Sequence, residues 1–146
     1  MKLRTSIAAV GAAAIVGTGA FVVPALASQQ ATATHTLTFI SVTKAQISLT
    51  KTSVGIQETD VNKAGKVVGY DEIYGTAISA TSSDANVTVA TKGGMLYGTF
   101  TINFDTGNVT DGKVTGGTGA FKKATGTFTA TSINANKTAV KITYKN

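Results

Sequence analysis

Asp71 and Glu72 sit side by side in the stretch from Lys66 to Ser79, whose alternating pattern is that of a strand. Neighbours on a strand point to opposite faces, so one of the two carboxylates faces the interior of whatever the sheet encloses. A carboxylate held there can act as a base or stabilise a developing cation, and its pKa rises when water is withdrawn. Within the same stretch Val67, Gly69, Asp71, Ile73 and Gly75 share one face, and Val68, Tyr70, Glu72 and Tyr74 share the other. Asp71 is the candidate for chemistry. Tyr70, Tyr74 and Tyr97 are the candidates for a ligand pocket, because a phenol combines an apolar body with a polar tip. A competing reading leaves Glu72 in solvent and has Asp71 bond a neighbouring Thr or Lys, and plain packing accounts for the tyrosines equally well.

Other chemistries are closed off by composition. The chain has one histidine, His35, and no cysteine, which removes His-based metal clusters, thiolate nucleophiles and disulfides. No metal site is expected. Gly116-Gly117-Thr118-Gly119 lacks the following Lys and the helix that a phosphate-binding loop needs. Asn86, Asn108 and Asn136 each begin an Asn-x-Thr triplet, which in so Thr-rich a chain reads as turn asparagine entering a strand.

At the N-terminus, Lys2 and Arg4 precede an apolar run from Ile7 to Val23, and Pro24 leads into Ala25-Leu26-Ala27. This is the three-part pattern of a secretory signal over residues 1–27, with cleavage before Ser28. The product is expected to be secreted, without a membrane span in its mature form, as a single domain over residues 28–146. Removing the leader with Lys2 and Arg4 lowers the net charge from +6 to +4. The remaining lysines are scattered, with Lys122-Lys123 the one adjacent pair. Scattered lysine without arginine or interleaved aromatics does not suit a nucleic-acid partner; it suits strand edges protected from aggregation.

The elements that must position these residues are strands. Thr, Val and Ile dominate from His35 onward, and such β-branched residues favour a pleated surface. Leu37, Phe39 and Ser41 alternate with Thr36, Thr38 and Ile40, and Ala45, Ile47 and Leu49 repeat the pattern with Gln46 and Ser48 opposite. Val54–Thr59, Lys66–Ser79, Asn86–Thr91, Met95–Phe104, Val109–Thr115, Thr127–Ile133 and Thr138–Tyr144 read as further strands. Turns are expected at Asn62–Gly65, Lys92–Gly94, Asp105–Asn108 and Asn134–Lys137. Periodicity leaves two all-β architectures open, a closed antiparallel barrel and an Ig-like sandwich.

The stretch Val114-Thr115-Gly116-Gly117-Thr118-Gly119-Ala120-Phe121-Lys122-Lys123-Ala124-Thr125-Gly126 is the most specific segment. Gly116, Gly117, Gly119 and Gly126 mark a tight turn between strands. Its pattern resembles the segment shared by dirigent proteins and allene oxide cyclases. Gly65-Lys66-Val67-Val68-Gly69-Tyr70-Asp71 and Gly94-Met95-Leu96-Tyr97-Gly98-Thr99-Phe100 extend the likeness over about Asn62 to Gly126. The resemblance implies an eight-stranded antiparallel barrel, often trimeric, with an apolar cavity open at one end. In those families the cavity orders a reactive apolar molecule while it cyclises or couples, and no cofactor takes part. Phe121 joins the candidate ligand contacts on this basis, and the glycine turn is expected to shape one rim. Plant dirigent proteins commonly carry Phe-Arg-x-Ala-Arg-Gly where this chain has Phe121-Lys122-Lys123-Ala124-Thr125-Gly126. A planar, bidentate arginine contact is therefore not reproduced.

The expectation is a secreted barrel that holds a small apolar or amphipathic molecule; whether it also directs a reaction is left open, and if it is an enzyme the class is a cofactor-independent cyclase (isomerase). The alternative is a structural or adhesive surface module built as a sandwich.

Overall fold

A computed structural model describes residues 33–103 and 105–146 of the chain. The secretory signal expected over residues 1–27 lies outside the described residues. Eight strands follow in order: β1 (Thr34–Ser48), β2 (Ser53–Val61), β3 (Val67–Ala77), β4 (Ser82–Thr91), β5 (Gly94–Asn103), β6 (Val109–Gly117), β7 (Thr125–Asn134) and β8 (Lys137–Lys145). One turn of 3-10 helix, Gly119–Phe121, interrupts the β6–β7 connection.

Each strand pairs antiparallel with the next, and β8 returns to β1 through Thr34↔Lys145 to Val42↔Lys137. The sheet is a closed barrel. The sandwich alternative is therefore not the fold. Closure removes the sheet edges, and in a barrel of eight strands the interior is just wide enough for side chains or one small ligand.

Alternation then sorts the residues. Phe39, Val89, Leu96, Phe100, Val114, Phe128 and Ile142 turn inward and are buried, with the rings of Phe100 and Phe128 edge to face at 5.6 Å. All of the lysines among the described residues lie exposed on the outside or in turns. The expected pattern fails at one place on β1. The register slips between Thr43 and Ala45, a bulge that adds one residue opposite β2 and inverts the alternation beyond it. Gln46 consequently lines the interior, and Ile47 is 55% exposed on the outer face.

The two ends of the barrel differ. At one end lie the β2–β3, β4–β5 and β6–β7 connections. There Phe121 and Ala124 are buried, and Phe121 meets Tyr144 edge to face at 5.5 Å. At the other end the wall residues include Gln46, Gly107, Ala135 and Asn136, from the short turns that join β1–β2, β5–β6 and β7–β8 or from beside them. The barrel is plugged at the first end and open at the second.

Candidate functional site

The barrel encloses a cavity of about 480 Å³, walled mainly by Phe39, Ile73, Val87, Val89, Leu96 and Phe100 with their apolar neighbours from β6 to β8. Into this apolar wall β1, β2 and β3 bring a polar cluster: Ser41 and Thr43 from β1, Glu58 and Asp60 from β2, and Asp71 from β3. Register places them together. Ser41 stands opposite Asp60, Thr43 opposite Glu58, and Glu58 opposite Asp71. Residues two apart on a strand share a face, so Ser41 and Thr43 on one side and Glu58 and Asp60 on the other meet as two rungs.

Ser41 Oγ lies 2.9 Å from Asp60 Oδ1 and 2.9 Å from Asp71 Oδ2. A hydroxyl has one proton to give and lone pairs to receive another. Both contacts are satisfied when one carboxyl is ionised and accepts from Ser41, while the other is protonated and donates to it. Thr43 Oγ1 donates to Glu58 Oε1 at 2.7 Å. Among the described residues, no Lys, Arg or His lines the cavity to balance the acids.

Without cations, the charged forms are disfavoured. Loss of water lifts Asp71 from its ordinary 3.8 to about 7, and the neighbouring Asp60 carboxylate pushes in the same direction. Glu58 is lifted to about 7, first by desolvation and then by the charge of Asp71. Asp60 is also raised, again chiefly by desolvation, with its bonds to Asp71 and Ser41 working against the rise. Glu58 and Asp71 thus hold protons near neutral pH, and Asp60, also raised, titrates together with them.

Their positions are not equivalent. Glu58 and Asp71 face the cavity. Asp60 is 1% exposed and lies behind it, toward the plugged end, with Oδ2 3.0 Å from where a Cβ on Gly69 would stand. Asp71 is 4% exposed; its Oδ1 and Asp60 Oδ2 are both shut off from solvent and receive no hydroxyl or N–H, so a proton held by a neighbouring carboxyl is what can bond them. Among the described residues no group of three His, Cys, Asp or Glu side chains is arranged to hold a metal ion.

The other sequence candidates are placed differently. Tyr70 and Tyr74 are 60% and 49% exposed on the outer face of β3, because Asp71 and Ile73 take the inner one. Tyr97 lies in the cavity wall between buried Leu96 and Gly98, but its hydroxyl reaches outward to Met95 Sδ at 3.8 Å. Phe121 is part of the plug, not of the cavity wall.

The glycine turn closes the far end and does not form the open rim. Gly119 has φ 57, the left-handed region that glycine enters without a Cβ clash, where the chain leaves β6 for the 3-10 turn. Gly117 and Gly126 serve close approach instead. A Cβ on Gly117 would stand 2.7 Å from Phe121 Cβ, and one on Gly126 would run into Thr143 O on β8. Gly116 pairs with Tyr97 across the β5–β6 ladder.

Sequence reasoning missed Ser41, Thr43, Glu58 and Asp60. The signal was present in β2, where Val54, Ile56, Glu58 and Asp60 form one alternating set whose apolar half marks it as an inner face.

No protein-family model matches the chain, and no curated protein matches it. Among solved structures it is similar to one described as pyocyanin demethylase, at 16% sequence identity and a TM-score of 0.63. That match covers 75% of this chain and 99% of the other. At such identity the likeness is one of fold: this chain is an antiparallel eight-stranded barrel similar to that of pyocyanin demethylase.

Proposed function

We propose that the barrel takes a small apolar or amphipathic molecule through its open end and holds it against Glu58 and Asp71, steering a cofactor-free rearrangement of that molecule. The observation that carries this reading is the pair of proton-holding acids in the wall of an apolar cavity of about 480 Å³. Pockets that bind small molecules have this make-up: mostly apolar walls and a few convergent polar groups. A volume of this size restricts the conformations a flexible guest can adopt, which lowers the entropic part of a cyclisation barrier.

Near neutral pH an acid with a pKa of about 7 is present in both forms. One carboxyl can then give a proton to the guest while its neighbour takes one away, a net isomerisation with no proton gained or lost. A carboxylate in this low-dielectric wall also favours an intermediate that develops positive charge.

The glycine-rich pattern around Phe121 supports placing the chain beside dirigent proteins and allene oxide cyclases. The likeness to a barrel described as a pyocyanin demethylase agrees with an interior used for a ligand. Export by the leader at residues 1–27 would put this activity outside the cell.

The test is a native mass-spectrometric and thermal-shift screen of the processed protein against terpenoids, phenolics and lipids. The proposal expects at least one stoichiometric ligand, displaced when Ala85 in the cavity wall is replaced by Trp. A screen in which nothing binds, or in which A85W binds equally well, overturns it.

A further inference from the structure

We infer that the guest is an uncharged molecule with hydroxyl or carbonyl oxygens along one side of an apolar frame, and that this side lies on a polar row running from the open end to Glu58. This deepens the functional reading above and rests on it. The first ground is the register of the inner face. Strands of a barrel tilt against its axis, so a row of paired residues crosses the wall obliquely. Asn136 begins one such row in the β7–β8 turn, where its backbone oxygen accepts from Thr43 N at 3.0 Å. Thr43 stands opposite Glu58, and Glu58 opposite Asp71. Exposure falls along the row: Asn136 is exposed, Thr43 and Glu58 are half-buried, and Asp71 is 4% exposed.

The second ground is what this side of the wall offers. Thr138, half-buried on β8, lines the cavity opposite Ser41, and among the described residues no group bonds its hydroxyl. Gln46 and Asn136 add side-chain amides near the open end. Hydroxyls and amides alike can give a hydrogen bond and receive one. Deeper in, Glu58 is the acid that keeps access to the cavity, because Asp60 and Asp71 are closed off and tied to Ser41. A guest hydroxyl finds a partner at each of these levels, and a guest carbonyl finds one at Thr138 and the amides. An anionic group would meet the acids instead.

The third ground is the facing wall. There β4 to β7 present Val89, Leu96, Phe100, Val114 and Phe128. Ser83 and Tyr97 bring the polar side chains of that wall, and both are engaged elsewhere: Ser83 donates to the backbone oxygen of Asp84 at 3.2 Å, and Tyr97 to Met95 Sδ at 3.8 Å. A guest oxygen pressed against this wall loses its water and gains no partner, which is costly. The cavity therefore sorts guests by where their oxygens stand as well as by how many they carry.

The experiment measures the wild-type protein by isothermal calorimetry against naphthalene-2,7-diol, naphthalene-2,6-diol and naphthylmethanol, at about pH 6, where phenols are uncharged. The two diols have the same atoms. The first carries both hydroxyls on one side of its rings, and the second carries them on opposite sides. The one-sided diol is expected to bind at least about tenfold tighter than the two-sided one.

Thr138→Val keeps the shape of the side chain and deletes its hydroxyl, so the preference should fall to about threefold or less. Gln46→Leu provides the same readout should the first variant misfold. Equal affinities for the two diols, tighter binding of the two-sided diol, or a preference unchanged in both variants would overturn the inference, while binding of naphthylmethanol would leave the cavity reading intact. If none of the three probes binds, the cavity reading itself fails and this inference fails with it.

Discussion

Asp71 stands directly opposite Glu58 on the β2–β3 ladder, and both side chains face the cavity. Like charges placed so close on one face of a sheet cannot both ionise cheaply. Ser41 ties the pair to Asp60 behind it, so three acids and one hydroxyl form a network without a cation. Such a network weakens the native state whenever it must carry charge. It persists in the barrel at the one place where a proton store touches a ligand-sized space.

The first prediction concerns pH. An acid whose pKa rises on folding binds more protons in the native chain than in the unfolded one, so its burial favours folding at low pH. Asp71 moves from 3.8 to about 7, so its stabilising contribution is complete below about pH 4 and is lost as pH rises through 7. Glu58, moving from 4.5 to about 7, adds to the same trend. Urea denaturation should therefore show higher stability at pH 5 than at pH 8. Asp71→Asn should gain about 1–3 kcal/mol at pH 8 and change little at pH 5. A profile that rises toward pH 8 in the wild type would refute the burial of these acids.

Val87 on β4 borders the cavity without being fully buried. Val87→Trp should fill the space from the wall inward, leaving the circular dichroism of the barrel intact and weakening binding of naphthylmethanol more than about tenfold. Retained affinity would place the ligand elsewhere.

Phe121 closes the plugged end against Tyr144, and its ring lies 3.3 Å from the position a Cβ would take on Gly93. Truncation to Ala removes a buried aromatic and should cost about 3–5 kcal/mol, measured by chemical denaturation. Because the ring lies outside the cavity wall, the loss should appear in stability and not in the ratio of affinities among ligands.

Gly126 pairs with Val114 on one side and Tyr144 on the other. A Cβ there would lie 2.7 Å from Tyr144 Cα as well as against Thr143 O, so Gly126→Ala should cost about 2 kcal/mol or more. Gly65→Ala is the control, because nothing lies within 4 Å and only its φ of 76 opposes the change. About 1 kcal/mol is expected at that position. Equal costs at the two sites would argue against close approach at the β7–β8 seam.

Strands and turns were legible because alternation, β-branched content and glycine-asparagine turns all point the same way in this chain. The turns expected at Asn62–Gly65 and Asn134–Lys137 fall where β2 meets β3 and β7 meets β8. Barrel closure was not legible from periodicity, since both faces of a sandwich show the same alternation. It was reached through the glycine-rich resemblance.

The candidate site was legible in part. Two-residue periodicity set Asp71 apart from Tyr70 and Tyr74, so the three could never share one pocket, and the structure places the aspartate inside and both tyrosines outside. Glu58 and Asp60 could be reached by the same rule from Val54 and Ile56. Gln46 could not, because its inward turn depends on the bulge at Thr43–Ala45, and no residue type there signals a slipped register.

The most direct test of a hollow, ligand-holding barrel is a methyl-resolved NMR titration with naphthylmethanol. Inner methyls of Ile73, Val87, Val89 and Leu96 should shift together and saturate at one equivalent, while the outer methyls of Ile47, Ile78 and Ile133 stay in place. Shifts confined to the outer methyls, or none at saturating probe, would contradict the account.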